Sequence, residues 1–326
     1  MVLGHKDPRM KQALGEWARI APDLGFDPAI FRAKLLWHKN EPTRSHVVLR
    51  LRGPRLLILK RTFAHQSDRN LNRIVAAQTD AYFRLRPYPK AHAPEILYAS
   101  DSGDLLVMEE ALGKTLDEHL RLPRAPVPLL KRTGAWLAAF HESCDTEKRI
   151  YQPHFMVTHC ERMADKVEAG KVSVADPTNF IACCRMVRGK AKTATDRETI
   201  SATKHGDFNL RNIMLGSDGE TGLDFEPLST APVGFDIARI LMDYAELFQS
   251  DEDLVPGQLL SSVTIRAFFG GYDLVTQNDP GVAFLPFTQI LNDWVSIPSD
   301  PQQRSWRQEH RYGGIVRLVR AGFGVF

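Results

Sequence analysis

The chain has 326 residues, of which 43% are apolar and 25% charged, as is typical of a soluble globular protein with one large or two medium domains. Its net charge of +3 is too small to indicate nucleic-acid binding by itself. No apolar run approaches the roughly 18 residues of a membrane span, and the start, MVLGHKDP, is charged too early for a signal peptide. The four cysteines have no framework spacing, so we expect free thiols, no zinc site and a cytoplasmic location.

The N-terminal part of the chain carries mainly strand patterns. Asp7-Pro8 is typical of a helix N-cap and first turn. The stretch VVLRLRGPRLLILKR alternates on both sides of Gly53-Pro54, which predicts a hairpin. Apolar residues at helical spacing predict a helix over 70–86. APEILYAS and LLVMEEA then predict two further strands joined by the turn DSGD.

After Gly113 the pattern becomes mainly helical. Short strand-like segments interrupt the helices only near 203–226. The chain is therefore predicted to be α+β, with a small β-rich lobe over 1–110 and a larger, mainly helical lobe over 111–326. The predicted helices of the large lobe are 115–122, 129–143, 154–170, 176–188, 236–249, 257–270 and 302–322.

A polar cluster lies between apolar segments in HGDFNLRNIMLGSDGETGLDFEP, residues 205–227. NIML and TGLDF flank a glycine-bearing turn, which predicts a hairpin that brings Asn212 beside Asp224. An amide oxygen and a carboxylate are the hard ligands that Mg²⁺ prefers. Asp207 would point into the same space and remain free as a base. This combination is what phosphoryl transfer requires.

The simpler alternative is a turn with capping aspartates. His-Gly-Asp followed by an asparagine five residues later, with a second correctly spaced aspartate, is rare by chance. The joint pattern therefore favours a functional site.

The motifs resemble those of one known family. HGDFNLRNIML followed by GLDFEP resembles the catalytic loop and metal-binding segment of the aminoglycoside phosphotransferase and choline kinase-like family, which are small-molecule kinases with the protein-kinase fold. LLILKR is similar to the strand that carries the phosphate-binding lysine, and LLVMEEALGKTLDEHL is similar to the hinge that receives adenine. TGAWLAAFHES and PVGFDIARIL resemble two helical segments of the family. No motif is recognised beyond about residue 250.

The resemblance implies a bilobal protein-kinase-like fold and ATP-dependent phosphorylation of a small-molecule hydroxyl group, with ATP and Mg²⁺ as cofactors. It implies that 1–110 binds nucleotide and that 111–326 carries the catalytic and substrate-binding groups. The oligomeric state does not follow from it. The residues to which it assigns roles are Asp207 as catalytic base, Asn212 and Asp224 as metal ligands, Lys60 as phosphate ligand, the backbone near Glu109 and Ala111 as adenine partners, Asp236 as a brace of the catalytic loop, His205 as a residue that orders this loop, and Glu226 as an indirect support of the metal site.

Two features of the small lobe depart from the family pattern. No glutamate lies between Arg61 and His92 to pair with Lys60, so either Asp80 reaches the lysine or Gln78 offers a weaker hydrogen bond. There is also no glycine-rich phosphate loop. Thr43, Arg44 and Ser45 occupy its place and could donate to phosphates.

These departures keep alternatives open. The missing glutamate favours a pseudokinase that binds nucleotide without transferring phosphate, while the intact motif at 205–224 favours the enzyme. Lys60 could instead be a solvated lysine at a strand end, and Asp236 could be only an N-cap.

Charge is distributed unevenly along the chain. Residues 31–90 contain 14 Lys and Arg against three acids, which suits an anionic nucleotide. Residues 240–300 contain nine acids against Arg266 alone, which hints at a cationic acceptor such as an amino sugar or amino alcohol, with neutral sugars also open.

Overall fold

The structure, a computed structural model, describes residues 7–41, 43–64, 71–250 and 254–325, with the side chain of Arg44 excepted. The first part of the chain forms two helices and six strands, which are α1 (Pro8–Ile20), β1 (Arg32–Glu41), β2 (Arg44–Arg52), β3 (Leu56–Ala64), α2 (Leu71–Leu85), β4 (Ala91–His92), β5 (Ile96–Ala99) and β6 (Leu105–Glu109). Five of these strands form an antiparallel sheet in the order β1-β2-β3-β6-β5.

The sheet of the small lobe is covered on one face by α1. Alternate residues of β2, at Val47, Leu49 and Leu51, are almost fully buried, because successive side chains of a strand point to opposite faces. They form a core with the inner face of α1, where Trp17 is buried. The helix begins where expected: the Asp7 carboxylate accepts a hydrogen bond of 2.8 Å from the Arg9 amide.

The rest of the chain forms the larger, mainly helical lobe. Its elements are β7 (Lys114–Thr115), α3 (Leu116–Leu120), α4 (Pro126–Glu142), β8 (Glu147–Tyr151), α5 (His154–Glu168), α6 (Pro177–Ala191), β9 (Arg197–Thr203), β10 (Ile213–Leu215), β11 (Glu220–Gly222), β12 (Thr230–Pro232), α7 (Gly234–Phe248), α8 (Ser262–Phe269), α9 (Pro280–Val295) and α10 (Trp306–Phe323). Its strands form two small sheets. One has the order β12-β9-β8, and the other, which β4 joins from the first part of the chain, has the order β4-β11-β10-β7.

The core of the large lobe extends beneath the small one. The inner face of α2, with Ala77, Ala81 and Leu85, belongs to the same buried cluster as Trp136 of α4. The main chain crosses between the lobes just after β6, close to the predicted boundary. That the two lobes are separate domains at 110/111 stays a prediction.

The α+β architecture is confirmed, but one long helix was missed. Helix α9 begins at Pro280, and the Asp279 carboxylate accepts hydrogen bonds from the amides of Gly281 and Val282. An aspartate followed by a proline is a strong helix start. The signal was therefore present in the sequence. Pro286 within the helix obscured it, because an internal proline is typical of a break.

Candidate active site

The hairpin predicted at the motif is formed by β10 and β11. Ile213 pairs with Gly222, and the Leu223 amide donates to the Asn212 carbonyl at 2.8 Å. This pairing brings Asn212 next to the segment that ends in Asp224, as the spacing predicted. Gly222 is required here because a Cβ at this position would overlap the buried ring of Trp136.

The loop before the hairpin is held by its apolar residues. Phe208 and Leu210 are fully buried, and Phe208 stacks on Trp136 with ring centroids 5.3 Å apart. The Leu210 amide donates to Asp243 at 3.0 Å, and the Leu210 carbonyl accepts from the Asp117 amide at 2.9 Å. The polar residues between these anchors therefore have a fixed backbone from which to act.

Asp207 is held at both oxygens and remains partly exposed. Its Oδ1 accepts a hydrogen bond from Arg239 at 3.1 Å, and its Oδ2 accepts one from the Asn212 amide group at 3.1 Å. The Asp207 carbonyl accepts from both Asn209 and Asn212. The loop thus curls around Asp207. A carboxylate fixed and solvent-accessible in this way can position a hydroxyl group.

Asn212 is turned so that its amide oxygen is left for a cation. Its Nδ2 donates both to the carbonyl and to the carboxylate of Asp207. Among the hydrogen bonds of the described residues, none uses its Oδ1. The Asp224 carboxylate is 60% exposed, on a residue with a φ of 56°. An amide oxygen and an exposed carboxylate suit Mg²⁺ with water and phosphate as its remaining ligands.

Lys60 of β3 reaches across the lobes to this hairpin. Its Nζ lies 2.7 Å from Asp224 Oδ1. Lys60 is therefore not a solvated strand-end lysine with a free ammonium group. The ion pair puts the expected phosphate ligand and the expected metal ligand at one point of the cleft.

Neither expected substitute for the missing glutamate reaches Lys60. Asp80 pairs with Arg84, one turn further along α2, at 2.8 Å. Gln78 is buried and donates to the Pro94 carbonyl at 3.3 Å. Both interpretations were wrong because each side chain has a nearer partner, and Asp224 neutralises Lys60 instead.

The segment after β6 leaves backbone groups open at the cleft. The Glu109 amide donates a hydrogen bond of 3.0 Å to the Glu95 carbonyl, and the Glu109 side chain forms an ion pair with Arg55. Ala111 lies outside any helix or strand. Within the described residues its amide and carbonyl take part in no hydrogen bond. They are available to a planar ligand with a donor and an acceptor edge.

The residues expected to bind phosphate at the start of β2 have a different arrangement. Ser45 is buried, and its Oγ accepts a hydrogen bond from Arg9 of α1 at 3.2 Å. Thr43 is exposed. The Arg44 side chain lies outside the described residues. The Ser45 hydroxyl group therefore already has a hydrogen-bond partner within the small lobe.

Asp236, at the start of α7, ties the loop to the core. Its carboxylate accepts from the amides of His205 at 2.7 Å and Gly206 at 3.0 Å, and it lies 3.2 Å from His141 Nε2. Burial by itself raises its pKa, but the hydrogen bonds and the charge of His141 lower it overall. Asp236 is thus more than an N-cap.

His205 and Glu226 support the same turn. The His205 ring is fully buried and stacks on Phe225 at 4.5 Å, and burial lowers its pKa, so the imidazole is neutral. The Glu226 amide donates to the His205 carbonyl at 3.0 Å. Gly206 has a φ of 88°, and a Cβ there would lie 2.7 Å from Glu226 Cβ.

Sequence reasoning missed a network of buried charges behind Asp207. Arg239 links Asp207 to Asp293 of α9, with its Nη1 2.7 Å from Asp293 Oδ1. Arg311 of α10 pairs with Asp243 of α7. A signal existed: Arg239 follows Asp236 by three residues, which puts both on one face of a helix. Its partners could not be found without the packing of α7, α9 and α10.

Glu246 of α7 is buried beside this network. It is buried against Asp293, and Arg311 Nε lies 3.3 Å from its Oε2 without the alignment of a hydrogen bond. Burial and the charge of Asp293 raise the pKa of Glu246 well above its ordinary value. We therefore expect Glu246 to hold a proton in the folded protein.

The protonation of Glu246 predicts how stability depends on pH. A raised folded-state pKa stabilises the protein below the unfolded pKa, and this contribution is lost as the pH rises through the folded value. Glu246→Gln removes the titration. The free energy of unfolding of the variant, minus that of the wild type, should therefore be larger at about pH 9 than at about pH 5. Urea unfolding at both pH values measures this. Glu168→Gln, at an exposed ion pair, is the control, and curves for Glu246→Gln and wild type that run parallel would contradict the assignment.

Of the six described acids in the stretch 240–300, four are buried, and Asp273 and Asp300 are exposed. Asp243 and Asp293 are buried in arginine pairs, and Asp279 accepts from Thr199 at 2.7 Å. Asp300 caps a short turn. Residues 251–253 lie outside the described residues. The hint of a cationic acceptor thus has no support from the placement of these acids.

Solved structures of low sequence identity share this fold over nearly the whole chain. A choline/ethanolamine kinase family protein from Mesorhizobium loti is 15% identical, with a TM-score of 0.59, over 96% of this chain and 95% of that one. Aminoglycoside 2′-phosphotransferase-IIIa, as its GDP complex, is 11% identical, with a TM-score of 0.61, over 98% and 100%. Spectinomycin phosphotransferase, with ADP and spectinomycin, is 13% identical, with a TM-score of 0.53, over 96% and 97%. The bilobal kinase-like fold is confirmed.

The family follows from the sequence match. Residues 40–258, more than half of the chain, match the model of the phosphotransferase enzyme family. The chain belongs to this family. No curated protein gives a significant match. In the described ranges, no helix is long and apolar enough to cross a membrane, and no three His, Cys, Asp or Glu side chains cluster as a metal site.

Proposed function

We propose that the protein transfers the γ-phosphoryl group of ATP to a hydroxyl group of a small molecule. The observation that carries this proposal is the convergence of four side chains at the cleft. Asn212 donates to Asp207, and Lys60 lies 2.7 Å from Asp224. One base, one phosphate-binding cation and two oxygen ligands are the set that phosphoryl transfer needs.

Nucleotide would bind between β3 and the segment after β6. Lys60 offers a point charge to the α- and β-phosphates. The open amide and carbonyl of Ala111, with the Glu109 carbonyl beside them, offer the edge contacts that adenine requires. The excess of Lys and Arg over 31–90 favours an anionic ligand in this lobe.

Asn212 and Asp224 would hold Mg²⁺ through the amide oxygen and the carboxylate. The ion supplies neutralisation of the phosphate charge during transfer. Glu226 would support this site indirectly through the turn at Gly206. Lys60 would exchange its contact with Asp224 for contacts with phosphate.

Asp207 would face the acceptor hydroxyl. The hydroxyl oxygen attacks the γ-phosphorus while its proton passes to Asp207. An oxygen–phosphorus bond forms to the acceptor, the bond from the γ-phosphorus to the bridging oxygen breaks, and ADP leaves. Arg239 and Asn212 each hold one oxygen of Asp207 in place during this step. Amino sugars, sugars and amino alcohols are the acceptor classes to test.

The alternative is a nucleotide-binding pseudokinase. It is favoured by one observation, the pairing of Lys60 with Asp224 in place of a helix glutamate. The two functions differ in one measurement. The enzyme releases ADP in the presence of an acceptor from a broad hydroxyl panel, whereas the pseudokinase binds ATP and releases none.

Nucleotide and metal binding are tested by thermal melting. ATP with Mg²⁺ should raise the melting temperature of the wild type more than ATP alone, because a ligand that binds only the folded state stabilises it. Asp224→Ala should lose the Mg²⁺-dependent part of this shift. Asp218→Ala, in the exposed turn of the same hairpin, should keep it. No shift with ATP and Mg²⁺ in the wild type would refute both candidate functions.

A further inference from the structure

Arg211 is a cationic residue of the loop between Asp207 and the β10–β11 hairpin. It is an exposed residue of the catalytic loop, between the buried residues Leu210 and Asn212. Its amide donates to Asn209 Oδ1 at 3.0 Å, so its backbone is fixed. In the described parts of the chain, its guanidinium group has neither a hydrogen bond nor an ion pair.

The carboxylates around Arg211 already have other arginine partners. Asp117 of α3 pairs with Arg121 and with Arg307 of α10, the latter at 2.7 Å. Asp207 pairs with Arg239. These carboxylates are therefore not free to neutralise Arg211 as well, and an anion from outside can do so.

The position of Arg211 indicates the acceptor side of the cleft. The backbone of its neighbour Leu210 is hydrogen-bonded to α3 and to α7. Both helices belong to the large lobe, whereas the Lys60–Asp224 pair marks the nucleotide side. Three residues separate Arg211 from Asp207, and the loop curls around the Asp207 carbonyl. Arg211 is therefore within the reach of a small molecule whose hydroxyl contacts Asp207.

We propose that the phosphate acceptor bears a carboxylate or phosphate group, and that Arg211 binds this group while the acceptor hydroxyl faces Asp207. This inference rests on the proposed function. The planar guanidinium group can hold two oxygens of such an anion at once, which gives orientation as well as affinity. The acceptor class thereby differs from the cationic one that the acid-rich stretch suggested.

The test compares sugars that share one scaffold and differ in charge. Glucose, glucosamine, glucuronate and glucose 6-phosphate are titrated at constant ionic strength against protein saturated with AMP-PNP and Mg²⁺, and melting temperature gives apparent affinities. One or both anionic probes should bind the wild type at least about tenfold more tightly than glucose. Loss of a charge-assisted bond in Arg211→Gln should weaken them about 10- to 100-fold, and Arg211→Lys should retain part of the affinity.

Controls separate this inference from the proposed function. Arg185→Gln, at an exposed ion pair with Glu168 on the large lobe, should bind every probe as the wild type does. Anionic probes that bind the wild type no better than glucose, or that bind Arg211→Gln unchanged, would overturn the role of Arg211. If AMP-PNP and Mg²⁺ cause no melting shift, the proposed function is refuted. The difference between wild type and Arg211→Gln with the anionic probes then still decides whether Arg211 binds anions.

Discussion

Asp207→Asn should lower acceptor-dependent ADP release by about 10²–10⁴-fold while ATP still binds, because the amide cannot accept the proton of the hydroxyl group. Asparagine keeps an oxygen for Arg239 or Asn212, so the loop geometry should persist. The measurement is the turnover number with the best acceptor of the panel. A melting shift with ATP and Mg²⁺ close to that of the wild type shows that the variant is folded and loaded.

The matched control is Asp218→Asn, which makes the same chemical change in the exposed turn of the hairpin. Its turnover number should equal that of the wild type. An unchanged rate in Asp207→Asn would rule out this residue as the base.

Asp236→Ala should reduce the free energy of unfolding by about 3–5 kcal/mol, which is the cost of breaking a buried and hydrogen-bonded charge. The substitution leaves the amides of His205 and Gly206 and the His141 ring without their common acceptor. Typical domains have only about 5–15 kcal/mol of stability. Chemical denaturation therefore measures a large effect, and activity should fall because the loop that carries Asp207 loses its anchor.

Asp236→Asn tests whether hydrogen bonding or charge matters more. Its one amide oxygen can still accept from the loop, so its loss of stability should be smaller than that of Asp236→Ala. Asp218→Ala provides the surface reference. A loss below about 1 kcal/mol in Asp236→Ala would mean that the loop is held elsewhere.

The local geometry of the motif could be predicted from the sequence because it depends on short-range chain properties. A glycine-bearing turn between the runs NIML and TGLDF sets the pairing of Ile213 with Gly222, and this pairing brings Asn212 near Asp224. The helices over 154–168 and 177–191 were likewise predicted within three residues at each end. The hairpin and both helices are determined by residues that are close in sequence.

The partners of the site residues could not be predicted, since they depend on packing between distant segments. Lys60 and Asp224 are 164 residues apart, and the choice of Asp224 over Asp80 depends on how the two lobes meet. The same holds for Arg239 and Asp293, which join α7 to α9. The acids in 240–300 suggested a cationic acceptor because composition does not distinguish a buried, paired carboxylate from an exposed one.

Exposed and buried side chains lie close together in the loop over 207–211. Asp207 is partly exposed and Arg211 is exposed, while Phe208 and Leu210 are in the core. Substitutions at neighbouring positions should therefore affect different properties of the protein. We expect a change at Phe208 or Leu210 to lower the amount of folded protein in a cell. Under the proposed roles, a change at Asp207 or Arg211 should leave normal amounts of a protein with impaired chemistry or selectivity. Abundance and specific activity, measured side by side, would thus separate the two halves of a single eight-residue motif.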